Sequence, residues 1–135
     1  MEIKLAKAMG TCFGVRDAVN AALEHEAQQD LTIAGQLVHN PQTVQKLRSH
    51  GIHMVDNIDA IDQIQTKKVM ITAHGASERI KQALRDRGLE VDDATCPLVE
   101  KVHRTIKNMV QKGLFPVVIG QRNHVEVYIL CRVYN

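Results

Sequence analysis

Short β-branched or apolar runs alternate with stretches of helical periodicity along nearly the whole chain, and this alternation constrains the fold more than any other feature. Ile3 to Ala6 reads as a short strand, and the turn Gly10 to Gly14 leads into a helix carrying Val15, Ala18, Val19, Ala22 and Leu23. An apolar run at Leu31 to Ala34 follows. Asn40 and Pro41 then suit the N-cap and first position of a helix containing Val44 and Leu47, which Gly51 closes. Ile52 to Val55 forms a strand, and Asp56 or Asn57 caps a short helical turn through Ile58, Ile61 and Ile64. Val69 to Thr72 is a buried strand, and Ser77 caps a helix with Ile80, Ala83 and Leu84 inward and Gly88 at its end. Leu89 to Val91 is a brief strand. Pro97 begins a helix whose apolar face is Leu98, Val99, Val102, Ile106, Met109 and Val110, and Phe115 to Ile119 is the last clear strand. Such alternation predicts an α/β fold with a mostly parallel sheet flanked by helices.

Size and charge narrow the function classes. A chain of 135 residues buries enough surface for one core without disulfide staples. No apolar run reaches the ~20 residues of a bilayer span, and the N-terminus lacks the long apolar core of a secretory signal, so the expectation is a cytoplasmic protein with no membrane partner. A net charge of +2 and four aromatic residues, two Phe and two Tyr, give little basis for nucleic-acid binding. Cys12, Cys96 and Cys131 are widely spaced and odd in number, which fits neither a disulfide framework nor a zinc ribbon.

In an open parallel sheet, ligands bind beyond the carboxyl ends of the strands. There this sequence places Cys12, His39, His74, Cys96 and the pair His124 and Glu126, on five successive loops. Cys12 reads equally well as a small apolar residue or a ligand. Cys96, just before Pro97, occupies a helix N-cap, where the helix dipole favours a thiolate and where Ser, Thr, Asn or Asp would cap better. Any single loop histidine is explained by local backbone bonding, but His39 and His74 beside helix N-termini together suit an anionic ligand. His124 and Glu126, two apart, face one side of an extended segment, as an acid or base beside a ligand or as a surface charge pair. His25, His50, His53 and His103 carry no assigned chemistry. P-loop, nucleophilic-elbow and HExxH patterns are absent from the sequence.

Five blocks carry a resemblance: Thr11-Cys12-Phe13-Gly14-Val15, Val38-His39-Asn40-Pro41, Thr72-Ala73-His74-Gly75-Ala76-Ser77, Asp93-Ala94-Thr95-Cys96-Pro97-Leu98-Val99 with Lys101-Val102-His103, and Ile119-Gly120-Gln121 through His124-Val125-Glu126-Val127. In this order and spacing the chain resembles the 4-hydroxy-3-methylbut-2-enyl diphosphate reductase family, the last step of the non-mevalonate isoprenoid pathway. The resemblance implies an oxygen-sensitive 4Fe-4S cluster held by three cysteines, of which Cys12 and Cys96 match two. It implies that His39, His74 and His124 bind the diphosphate of an allylic substrate, that Glu126 delivers a proton, and that a ferredoxin or flavodoxin donates electrons.

The chain also departs from that family. Members are more than twice as long and arrange three similar α/β domains around the cluster. Residues 1–95 match the first domain, 96–127 the start of an incomplete second, and 128–135 a tail that departs from the family. Cys131 is not at the position of the third cysteine ligand, and Val125 stands where the family has proline. The expectation is a truncated, inactive form of the reductase that self-associates through its incomplete second domain. The alternatives are a metal-free phosphate-binding or structural fragment, or a small zinc site built from Cys12, Cys96 and a histidine.

Overall fold

The computed structural model describes residues 2–7, 10–26, 28–38, 40–121 and 124–133. Four parallel strands, β1 (Leu31–Ala34), β2 (His53–Val55), β3 (Lys68–Ile71) and β4 (Glu90–Asp93), form one sheet in the order β2-β1-β3-β4. Among the described residues five α-helices accompany it: α1 (Phe13–Glu24), α2 (Pro41–Ser49), α3 (Glu78–Asp86), α4 (Pro97–Gln111) and α5 (Val125–Val133). The expected α/β fold, a parallel sheet flanked by helices, is what the chain adopts.

Both faces of the sheet are covered, which is why its central strands read as continuous apolar runs. Leu31, Ile33 and Met70 pack on one face with Ala18 and Ala22 of α1 and Leu47 of α2. Ala34, Val69 and Ile71 pack on the other with Ile80 and Leu84 of α3. Buried Thr32 is satisfied by a 2.7 Å hydrogen bond between its hydroxyl and that of Thr66. After β1 the chain leaves toward the α2 face, and after β3 toward the α3 face. The two adjacent loops therefore diverge, which makes the β1/β3 junction the switch point of the sheet.

The helix punctuation follows the sequence. Asn40 caps α2, its side-chain oxygen accepting from the backbone N–H groups of Gln42 and Thr43, and the Ser77 hydroxyl accepts from that of Ile80 in α3. Gly51, at φ +81°, takes the left-handed conformation that ends α2.

Three expectations need correction. Ile3 to Ala6 and Phe115 to Ile119 join no sheet; they are unpaired stretches in which Ile3 is 73% and Phe115 86% exposed. A strand exists only through a ladder partner, and among the described residues neither segment has one. The tail from Val127 to Val133, apolar and strand-like in sequence, lies within α5, with Ile129 and Leu130 buried. An unbroken apolar run does not by itself distinguish the two periodicities. The turn expected through Ile58, Ile61 and Ile64 is a single 3-10 turn at Ile61–Gln63; Asn57 caps the preceding turn by accepting from Asp59 N–H at 3.0 Å. Of its apolar face α4 buries only Ile106 and leaves Leu98, Val102 and Val110 exposed.

Candidate functional site

Beyond the carboxyl ends of β3 and β4, a cleft of about 300 Å³ is lined by Cys12, Gly14, His74, Cys96, His103 and Glu126, with Val15, Val99 and Leu130 among its apolar walls. Local structure explains how the chain delivers each polar group. Cys12 is the N-cap residue of α1 and Cys96 that of α4, and neither thiol caps its helix through a side-chain hydrogen bond. The backbone of Cys96 is fixed from both sides. Its N–H donates to the Ala73 carbonyl at 2.9 Å, and its carbonyl accepts from Glu100 at 3.0 Å.

Glycine at position 14 allows this approach. A Cβ there would stand 2.7 Å from the Cys96 sulfur and 2.9 Å from its Cβ, so the first turn of α1 reaches the second cysteine only because no side chain intervenes. Both thiols thus come to one cleft from residues 84 positions apart in sequence, counting from 12 to 96.

His74 and Glu126 meet across the cleft, with Nδ1 of the imidazole 3.1 Å from the carboxylate Oε1. With a carboxylate as partner, Nδ1–H is the donor, which leaves Nε2 directed elsewhere. His124 stands beside them, its ring edge-on to that of His74 at a centroid distance of 6.4 Å. Its Nδ1 accepts from the Glu126 backbone N–H at 3.3 Å. In that contact Nδ1 is the acceptor, which leaves Nε2 as the ring's available donor. His124 and Glu126 do not share a face of an extended segment, as expected from sequence; they flank the first turn of α5, where one caps the other. His39 lies outside the described residues.

A second, polar cleft of about 330 Å³ adjoins the first between α3 and α4. Among the described residues, His103 alone lines both. Burial, and then the Lys81 ammonium, hold the His103 imidazole below its ordinary pKa, while Glu126 and Glu78 pull weakly the other way. In Asp93 burial opposes the charge, yet the Lys81 ammonium at 2.6 Å and the hydroxyl and N–H of Thr95 hold the carboxyl below its ordinary value. Sequence reading passed over His103. The available signal was its spacing: with Cys96 and Val99 it recurs at the helical interval that places all three on one side of α4.

Cys131 lies on α5, exposed and not among the residues that line the cleft. Among the described residues no three His, Cys, Asp or Glu side chains converge in a metal-binding arrangement. The cleft thus supplies two thiols, which suit iron or zinc but are fewer than a cubane cluster or a tetrahedral ion requires.

Residues 3–133 match the family model described as LytB protein. The chain belongs to the LytB family. LytB relatives include the 4-hydroxy-3-methylbut-2-enyl diphosphate reductases of Caldanaerobacter subterraneus subsp. tengcongensis, 35% identical over 130 residues, and Brevibacillus brevis, 38% identical over 133 residues. These alignments cover 94% and 93% of this chain but only 45% and 43% of the relatives, so the chain spans less than half of their length. A solved structure of (E)-4-hydroxy-3-methyl-but-2-enyl diphosphate reductase, the terminal enzyme of the non-mevalonate pathway, superposes with a TM-score of 0.75 at 36% identity, covering 90% of this chain and 43% of that one. The corresponding reductase from Plasmodium falciparum gives 0.78 at 27% identity, covering 92% and 39%. The LytB match runs past Val127 into the segment that forms α5. No described helix is long and apolar enough to cross a membrane.

Proposed function

We propose that this chain carries the N-terminal share of a LytB reductase site, the one that removes the allylic hydroxyl of 4-hydroxy-3-methylbut-2-enyl diphosphate to give isopentenyl and dimethylallyl diphosphate, and that alone it is inactive. The observation that carries this reading is the meeting of Cys12, Cys96, His74 and Glu126 at one cleft in a chain of this family. Residues 1–95 form the first α/β unit, 96–127 begin a second, and 128–135 are the tail. The protein is assigned to the cytoplasm, with a ferredoxin or flavodoxin as electron donor for the complete enzyme.

Within that scheme the chain's own residues bind and aim. Cys12 and Cys96 are two of the three ligands of a 4Fe-4S cluster, and the third must come from outside the cleft described. When bound, such a cluster supplies electrons and an open iron for the substrate oxygen. His39, His74 and His124 hold the diphosphate by imidazole N–H donors, and Glu126 holds the proton delivered at its carboxyl oxygen. His74 holds that carboxyl at the cleft through its Nδ1 contact.

Anaerobic reconstitution with iron and sulfide, followed by visible spectroscopy and metal analysis, tests the cluster assignment. The expected result is no stable, stoichiometric cubane in the monomer, and finding one overturns the inactive assignment. Pyrophosphate titration tests the substrate assignment: His74→Ala and His124→Ala must each weaken binding. That no three ligands converge among the described residues favours one second reading, a metal-free phosphate-binding fragment, over a zinc site. Pyrophosphate affinity that survives Cys12→Ser with Cys96→Ser would support it.

A further inference from the structure

The two clefts beyond β3 and β4 differ in character, and a single side chain separates them. The inner one holds the thiols, His74 and Glu126 within largely apolar walls. The outer one is lined by Ser77, Glu78, Lys81, Thr95, Glu100, Arg104 and Lys107, a surface suited to ordered water. His103, half-buried two helical turns beyond Cys96, belongs to both.

We propose that His103 is the proton-exchange point between the clefts, passing protons from the outer, polar cleft to Glu126 in the inner one. This rests on the reading above, in which Glu126 gives up a proton to substrate. In the empty cleft the Glu126 side chain is 40% exposed; a ligand seated on the thiols and imidazoles would cover that access, and a carboxyl that has then lost its proton needs another route to solvent. Water in the outer cleft protonates the His103 ring. The imidazolium then yields that proton to the Glu126 carboxylate, directly or through one water, which restores neutral imidazole and a carboxylic acid with no net change of charge in the pair. His103 acts through Glu126 and touches no reacting atom.

The charges around the ring fit this task. From α3, Lys81 and Glu78 face it; from α5, Glu126; from its own helix, Glu100, Arg104 and Lys107; and from the loop after β3, His74 borders the same cleft. Lys81 is held by Asp93 at 2.6 Å and by Glu78 at 3.6 Å, so its ammonium is a fixed neighbour of the ring. It opposes a lasting positive charge on His103, while Glu126 draws the proton inward. A ring that is uncharged at neutral pH and flanked in this way exchanges protons without storing them.

The test is nuclear magnetic resonance on the whole chain, following the His103 ring nitrogens and the Glu126 side-chain carboxyl through a pH titration. The Glu126 curve is expected to show a second inflection at the His103 midpoint, absent in His103→Gln. Glu126→Gln lowers the His103 midpoint and Lys81→Met raises it. A single Glu126 inflection that His103→Gln leaves unchanged overturns the proposal. If His103→Gln does not fold, the other two variants decide: a His103 midpoint indifferent to both overturns it equally. As a kinetic readout, the His74 ring N–H exchanges with water several-fold more slowly in His103→Gln when pyrophosphate is bound, and an unchanged rate counts against the relay. The titration needs neither iron nor diphosphate, so its failure is distinguishable from failure of the pyrophosphate assay.

Discussion

A methyl group at position 14 has nowhere to go. It would stand 2.7 Å from the sulfur of Cys96, and α4 cannot retreat while the Cys96 N–H is tied to Ala73. Gly14→Ala is therefore expected to cost about 1–3 kcal/mol, the usual penalty for overpacking. Urea denaturation measures this, and Gly14→Ala with Cys96→Ala should return only part of the loss, because alanine removes the sulfur contact but keeps the Cβ at 2.9 Å. The two perturbed groups set the pH response. For His103 the folded pKa lies below the ordinary 6.5, so the unfolded chain takes up the proton first on acidification. Stability then declines as pH falls through the ordinary value and levels off below the folded one. Thermal melts of His103→Gln should lose this component. Asp93 contributes stability above its ordinary 3.8 that disappears as pH falls through its lowered folded value, and Lys81→Met should remove most of it. At this scale the sequence anticipated that the thiols and His74 share one cleft, because each lies in a distinctive loop. It did not identify His103, whose role depends on which neighbour faces α4, nor the need for glycine at 14, which depends on a contact 82 positions away, from 14 to 96.

Helix starts made by local chemistry and the four strands of the sheet were readable in advance; which further apolar runs find a ladder partner was not. Asn40 and Pro41 define the start of α2 within three residues, since the side-chain oxygen accepts from Gln42 N–H at 2.9 Å and Thr43 N–H at 3.1 Å. Asn40→Ala should cost about 1 kcal/mol. Ser77→Ala should cost less, because its one capping bond, to Ile80 N–H, is 3.3 Å long. Chemical denaturation of the two variants side by side checks the ranking. By contrast, Ile3 to Ala6 and Phe115 to Ile119 have the composition of strands but no ladder partner among the described residues. The first turn of α5 shows the opposite case. His124 caps it, the Arg132 guanidinium pairs with Asp59 at 2.8 Å, and Ile129 and Leu130 bury themselves, so a run without helical periodicity becomes helical through tertiary contact.

For the whole molecule, the main consequence is what remains uncovered. Phe115, Val117 and Ile119 alternate along an extended segment and are 86%, 75% and 95% exposed, and Leu98, Val102 and Val110 add an apolar stripe on α4. In relatives more than twice this length, further chain is available to cover such surface. Alone, the protein is expected to self-associate, and the sheet edges indicate where. Edge strand β4 reads Glu-Val-Asp-Asp, whose charged side chains disfavour burial against a second copy, and edge strand β2 is only three residues long. Neither edge invites pairing. The segment from Phe115 to Ile119 has no such protection, so association should run through it. Phe115→Ser with Ile119→Ser should shift the sedimentation profile toward monomer at equal concentration, without lowering the melting temperature, because neither side chain contributes to the two cores. If the double variant associates as strongly as the parent, the contact lies on the α4 stripe instead, and Val102→Lys becomes the substitution that separates the copies.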